Sequence, residues 1–164
     1  GRSGEATVRK NKSGIVVKGL HDLAVRFSRC CNPVPGDEIV GFVTRGRGVS
    51  IHRTDCINVI NLPEDERGRL IDAEWQVAEN STSTEQYSTE IQIFANNRIG
   101  LFADISKVFT EKQIDITSMN VRTSKQGRAT IIMTFDIHGT EELNRITDKI
   151  RQIDGVLDIQ RTTG

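Results

Sequence analysis

Apolar positions fall into two regimes along this chain. Up to about residue 77 they come in short alternating runs separated by Gly, Pro and charged residues. Beyond residue 89 the runs lengthen, and their period switches between that of a strand and that of a helix. In the first regime Ile15–Val17 is a short β-prone run, and Leu23–Phe27 alternates with Leu23, Val25 and Phe27 on one face. Glu38–Thr44 and Val49–His52 predict two further strands, joined by Arg45-Gly46-Arg47-Gly48 as a hairpin turn. Thr54 or Asp55 is placed to cap a short helix over 56–60, and Leu70–Val77 predicts a closing strand.

In the second regime Glu90–Ala95 alternates as a strand. From Gly100 the period changes, with Leu101, Phe102, Ile105, Val108 and Phe109 at helical spacing. Ile114–Thr123 is extended, Gln126-Gly127 makes a turn, and the odd positions of Ala129–Ile137 are all apolar. Thr140 is placed to cap a second helix whose buried face is Leu143, Ile146, Ile150 and Ile153. Gly155 is expected to end that helix before a last strand, Val156–Arg161. The order β-α-β-β-α-β predicts two helices on one face of an antiparallel ferredoxin-like sheet.

The fold class is therefore α+β: a small, mixed, β-rich domain over 14–78 and a ferredoxin-like domain over 89–164. Between them, 79–88 reads as a linker, because residues 79–86 hold no apolar side chain and many hydroxyls. Residues 1–13 are polar, basic and aperiodic, and read as a flexible linker or tag remnant. Net charge is zero but unevenly spread: residues 1–60 hold ten Lys/Arg against five acids, and 61–90 hold two against eight. The basic first part is compatible with a polyanionic partner and equally with a solvated surface. No apolar run is long enough to span a bilayer. Three cysteines, two of them adjacent, make a poor disulfide framework, so the expected compartment is reducing and cytoplasmic.

All three cysteines lie within one dense stretch. Cys30, Cys31, His52 and Cys56 are candidate metal ligands, since zinc accepts thiolate and imidazole in a closed tetrahedral set and His52-x3-Cys56 has finger-like spacing. Two other readings of the same residues stand beside it: small buried hydrophobes with a hydrogen-bonded histidine, and a Cys–His nucleophile. Arg45, Arg47 and Arg53, with Arg26 and Arg29, are candidate polyanion contacts, because guanidinium groups on a glycine turn suit phosphate oxygens. Base-stacking aromatics near these arginines are sparse (Phe27, Phe42), which favours contact with the backbone of shaped RNA.

The run Arg29-Cys30-Cys31-Asn32-Pro33-Val34-Pro35-Gly36-Asp37, continued by Arg45-Gly46-Arg47-Gly48-Val49-Ser50-Ile51-His52-Arg53-Thr54-Asp55-Cys56, resembles the conserved-cysteine module of long RelA/SpoT homologues. That module is also called the zinc-finger or ribosome-intersubunit domain of these (p)ppGpp synthetase/hydrolases. Residues 89–162 are similar to an ACT domain through Ala95–Ile105, with Asn97 where relatives commonly carry an acid and Ile99 where a variant carries proline. The resemblance implies a non-catalytic regulatory region, with zinc on the four ligand positions and the arginines on ribosomal RNA beside deacylated tRNA. It also implies control of catalytic domains elsewhere in the parent chain. For the ACT part it implies an effector site for an amino acid, branched-chain by class, at Asn97, Arg98, Ile99, Gly100 and Leu101. A partner's Met119–Asn120 strand would complete that site in a homodimer. Two alternatives remain: a stand-alone amino-acid-binding ACT regulator, and a small zinc or cysteine enzyme.

Overall fold

The computed structural model of the protein describes residues 15–17, 24–46, 48–76 and 85–163. The expected flexible stretch 1–13, Leu23, Arg47, Val77 and positions 79–84 of the expected linker lie outside them.

Strands β1 (Ile15–Val17), β2 (Val25–Phe27), β3 (Ile39–Val43), β4 (Val49–Arg53) and β5 (Leu70–Trp75) form one five-stranded sheet in the order β1-β5-β3-β4-β2. All pairs are antiparallel except β2 with β4, which is parallel. Alternation puts Val25, Phe27, Ile39, Val49, Ile51, Ile71 and Ala73 on one face, where they pack with Ile15. The opposite face carries the cysteines, with Val40, Leu70 and the buried Val59 beneath them. The β3–β4 turn closes by the Thr44 N–H and hydroxyl donating to the Gly48 carbonyl at 2.9 and 2.8 Å.

Helix α1 (Ile57–Ile60) follows β4, and a 3-10 turn (Glu64–Arg69) leads into β5. The expected cap for α1 is revised. Neither Thr54 nor Asp55 starts the helix; Cys56 stands at the N-cap without a side-chain capping bond, and its carbonyl accepts from Val59 and Ile60. The Cys56 side chain is turned inward instead, fully buried in the cysteine cluster.

The second sheet has the order β7-β8-β6-β9, all antiparallel, from β6 (Tyr87–Asn96), β7 (Ile116–Thr123), β8 (Arg128–Ile137) and β9 (Val156–Arg161). Helices α2 (Leu101–Glu111) and α3 (Thr140–Arg151) complete the expected β-α-β-β-α-β order. Odd residues of β6 and β8 face Leu101, Ile105, Phe109, Leu143, Ile146 and Ile150 in one core. The strand β6 starts at Tyr87, so the last two residues assigned to the linker belong to the sheet.

The two sheets share a seam. Val34, in the Cys-Pro loop of the first domain, is fully buried in the core of the second. Phe27 and Trp75 stack with ring centroids 5.6 Å apart, and Tyr87 of β6 meets both edge-on at 5.6 and 5.5 Å. Asp37 receives both terminal nitrogens of Arg161, at 2.6 and 3.0 Å, and one of those nitrogens also donates to the Asn32 carbonyl at 3.1 Å. The Thr140 N–H donates to the Pro35 carbonyl at 2.8 Å. Both ends of α3 depart from the expected pattern. Gly139, not Thr140, is its N-cap, with no side-chain capping bond, because Thr140 is engaged across the seam. At the other end α3 stops at Arg151, with Gln152 as C-cap. Gly155 lies in the turn beyond, where its φ of 98° lets the chain enter β9.

Gly36 is the tightest point of the seam: its φ is +102°, and an added Cβ would lie 2.0 Å from the Thr140 hydroxyl oxygen. Gly46, at φ +78° on the hairpin tip, has open space around it. Gly36→Ala should therefore cost about 3 kcal/mol, the sum of left-handed strain and overpacking, whereas Gly46→Ala should cost about 1 kcal/mol from strain alone. Urea unfolding of the two variants beside the parent measures the difference.

Candidate metal centre and cationic face

Two adjacent cysteines on a strand would point to opposite faces. Here Arg29–Cys31 form a turn closed by the Asn32 N–H on the Ser28 carbonyl at 3.0 Å, with Asn32 at φ 48°, a region Asn tolerates. The turn brings both sulfurs to one side. There they meet His52 on the outward-alternating position of β4 and Cys56 at the head of α1.

The resulting geometry is a compact tetrad. Cys30 Sγ lies 3.4 Å from Cys56 Sγ, 3.4 Å from His52 Nδ1 and 4.0 Å from Cys31 Sγ, and Cys31 Sγ lies 3.9 Å from His52 Nδ1. All four ligand atoms fall within 4.8 Å of one another. A tetrahedral zinc with bonds of ~2.3 Å to sulfur and ~2.0 Å to nitrogen sets ligand atoms roughly 3.5–3.8 Å apart, so the set fits the ion with side-chain shifts of about 1 Å or less. Ser50 Oγ sits 2.8 Å from His52 Nε2, which leaves Nδ1 as the ring nitrogen facing the sulfurs. The Arg53 N–H lies 3.3 Å from Cys31 Sγ, an N–H···S bond that suits a thiolate. The cluster can hold a metal ion.

The titration behaviour follows from the same packing. Burial pushes the Cys31 thiol well above its ordinary value, against the opposing Arg53 N–H bond. Burial likewise raises Cys56. Burial acts on Cys30 in the same sense, but hydrogen bonds from Ser28, Asn58, Cys56 and Cys31 outweigh it and leave that thiol below its ordinary value. Burial lowers the His52 imidazole and so favours the neutral ring that a metal needs.

The predicted arginines are divided. Arg26, Arg29 and Arg45 are exposed, and Arg47 lies outside the described residues. Arg53 is a correction: it is only 6% exposed and has no reach to an external phosphate. Its guanidinium ion-pairs with Asp55 and donates to the carbonyls of Cys31 and Thr162, both at 3.3 Å. It follows a strand position whose neighbours are buried, so the chain spends it inside. Arg69, which the sequence groups with an acidic segment, replaces it on the surface. Its guanidinium lies 4.7 Å above the Phe42 ring and is held by Nε donating to the Val43 carbonyl at 2.9 Å. Arg26 pairs with Ser50, and Ser50 with Phe42, so Arg26, Phe42 and the covering Arg69 share the face that bears the cysteine tetrad. Asp72, opposite Val40, lies one pair further along that face. Phe27, by contrast, is committed to the aromatic seam.

In the second domain the loop Asn97–Leu101 leads into α2, with Gly100 at φ 84° and Leu101 buried. Arg98 closes over it, donating to the Asp154 carbonyl at 2.8 Å, to the Ile99 carbonyl at 3.1 Å and to Asp104 at 2.7 Å. Ile99 is fully exposed. Met119 and Asn120 are exposed on β7, one of the two edge strands of the sheet.

The RelA/SpoT RIS domain family model matches residues 15–76, and the ACT domain family model matches residues 83–161. Curated relatives carry the name GTP pyrophosphokinase. That of Streptomyces coelicolor is 39% identical over 150 residues, covering 92% of this chain and 17% of that protein. That of Escherichia coli K12 is 36% identical over 156 residues, covering 94% and 20%. This chain thus spans about a fifth of the length of the curated relatives it matches. Among solved structures, the ACT domain from GTP pyrophosphokinase of Chlorobium tepidum covers 47% of this chain and 99% of its own, at 22% identity and a TM-score of 0.43. No helix among the described residues is long and apolar enough to cross a membrane. Over its two matched stretches the chain belongs to the RelA/SpoT homologues, a RIS domain followed by an ACT domain.

Proposed function

We propose that this chain is a regulatory module that docks on structured RNA, ribosomal RNA with deacylated tRNA nearby, and conveys that contact to (p)ppGpp-synthesising and -hydrolysing domains of a longer protein. The observation that carries the reading is the cationic face of β2, β4 and β3. Arg26 and the half-buried Arg69 over Phe42 share the sheet face that bears the cysteine tetrad, and Arg45 is exposed on the hairpin turn between β3 and β4. Exposed guanidinium groups on a rigid sheet suit phosphate oxygens, and the covered Phe42 offers a flat edge beside them. Cys30, Cys31, His52 and Cys56 would hold zinc, which would tie the Cys30–Cys31 turn and the head of α1 to β4 in a structural role.

A Cys–His nucleophile is the weaker use of the same atoms. The Cys30, Cys31 and Cys56 sulfurs crowd one another and the His52 ring, and His52 Nε2 is oriented by a serine rather than a carboxylate. The amino-acid reading of the ACT domain rests on the loop at α2 and the exposed β7 edge. A branched-chain amino acid between Asn97–Leu101 of one protomer and Met119–Asn120 of the other would complete a homodimer.

Three outcomes follow. Arg45→Ala with Arg47→Ala should weaken ribosome binding and flatten the slope of log K against log salt by about 1–2, through lost counterion release, with lysine at both positions restoring only part. Filter binding at two or more salt concentrations reads both, and an unchanged slope sinks the RNA reading. Freshly purified protein should contain close to one zinc per chain; strong chelator or Cys56→Ser should lower the melting temperature, while well under one zinc by metal analysis removes the metal reading. Sedimentation should show dimers strengthened by a branched-chain amino acid, and a monomer at high concentration with and without it counts against the effector site.

A further inference from the structure

We infer that the tail of β9, Arg161–Thr163, is a strap that ties docking of the ACT domain to occupation of the cysteine tetrad. The inference rests on the metal-site reading above. Each segment that carries ligands is joined to this tail within one or two residues. Next to Cys31, the Asn32 carbonyl accepts from Arg161, and the Cys31 carbonyl itself accepts from Arg53. Next to His52, Arg53 spans the gap, its guanidinium on Cys31 and on the Thr162 carbonyl together. Next to Cys56, the Ile57 N–H donates to the Thr163 carbonyl at 2.7 Å. The two stretches of the first domain that carry the ligands, the Cys30–Cys31 turn and the run from β4 into α1, both meet this same short tail.

The connecting loop has little slack. Val34, seated in the ACT core, is three residues from Cys31, a path of at most ~11 Å. Pro33 and Pro35 restrict φ on either side of it. Asp37 closes the loop on itself by accepting the Val34 N–H at 2.8 Å while holding Arg161, and its carbonyl accepts the Trp75 indole N–H at 3.0 Å. Drawing Cys30 and Cys31 onto an ion therefore sets the position of Val34 and Asp37, which are the docking contacts. By linkage, whatever loosens the dock must weaken the ion by the same factor, and the reverse.

The Arg161–Asp37 pair tests this without touching a ligand. Zinc affinity is measured on the full chain by competition with a chromophoric chelator, and amide exchange is followed at Thr140 and Ile57, whose N–H groups donate across the seam. Chelation should speed exchange at both amides, and Arg161→Met should lower zinc affinity about tenfold. Asp37→Asn, which keeps an acceptor for Val34 but loses the ion pair, should act in the same direction and guards against a misfolded Arg161→Met. Zinc bound with unchanged affinity in both variants, and exchange indifferent to chelation, overturns the strap while leaving the metal site standing. A parent chain that binds no zinc removes the metal site and the strap with it.

Discussion

The structure turns on one partly buried ion pair, Asp37 with Arg161. The two residues come from opposite ends of the chain, 124 positions apart, and both forks are engaged. Their side chains are 10% and 18% exposed, so each carries a desolvation cost that the pair offsets together with the Val34 N–H on Asp37 and the Asn32 carbonyl on Arg161. Asp37 is also the hub of its own loop, taking the Val34 N–H on its carboxylate and the Trp75 indole on its carbonyl. The pair thus places Val34 in the ACT core, the aromatic trio of Phe27, Trp75 and Tyr87 along the seam, and the Cys30–Cys31 turn above β4.

This arrangement explains why so small a cysteine domain holds its shape. Its apolar cluster contains few buried side chains, Ile15, Val49, Ile51 and Ala73, and a separate small one lies under the cysteines. A sheet with so little interior is marginal by itself. It borrows interior from its neighbour through Val34, Phe27 and Trp75, and the tetrad closes the other face. The seam and the tetrad flank the β2–β4–β3 sheet that carries Arg26, Arg45 and the Arg69–Phe42 pair.

Periodicity in the sequence determined most of the secondary structure. The ACT order, the alternation of β6 and β8, the apolar faces of α2 and α3 and the β3–β4 hairpin all follow from spacing, because each is a local demand of one face meeting one core. The tetrad was legible too: thiols and an imidazole of this kind have few uses, and all three cysteines fall in one stretch. Tertiary structure alone decided the rest. Which arginine is spent inside depends on contacts made far along the chain, so Arg53, level in sequence with Arg45, is buried by Thr162 and Cys31, and Arg69 reaches the surface face across Phe42. The N-terminal end of α3 was misread for the same reason, since Thr140 finds its partner in Pro35, more than a hundred residues away. Short-range pattern records what a residue needs from its neighbours along the chain; it holds no record of pairings whose two halves are brought together only when the domains meet.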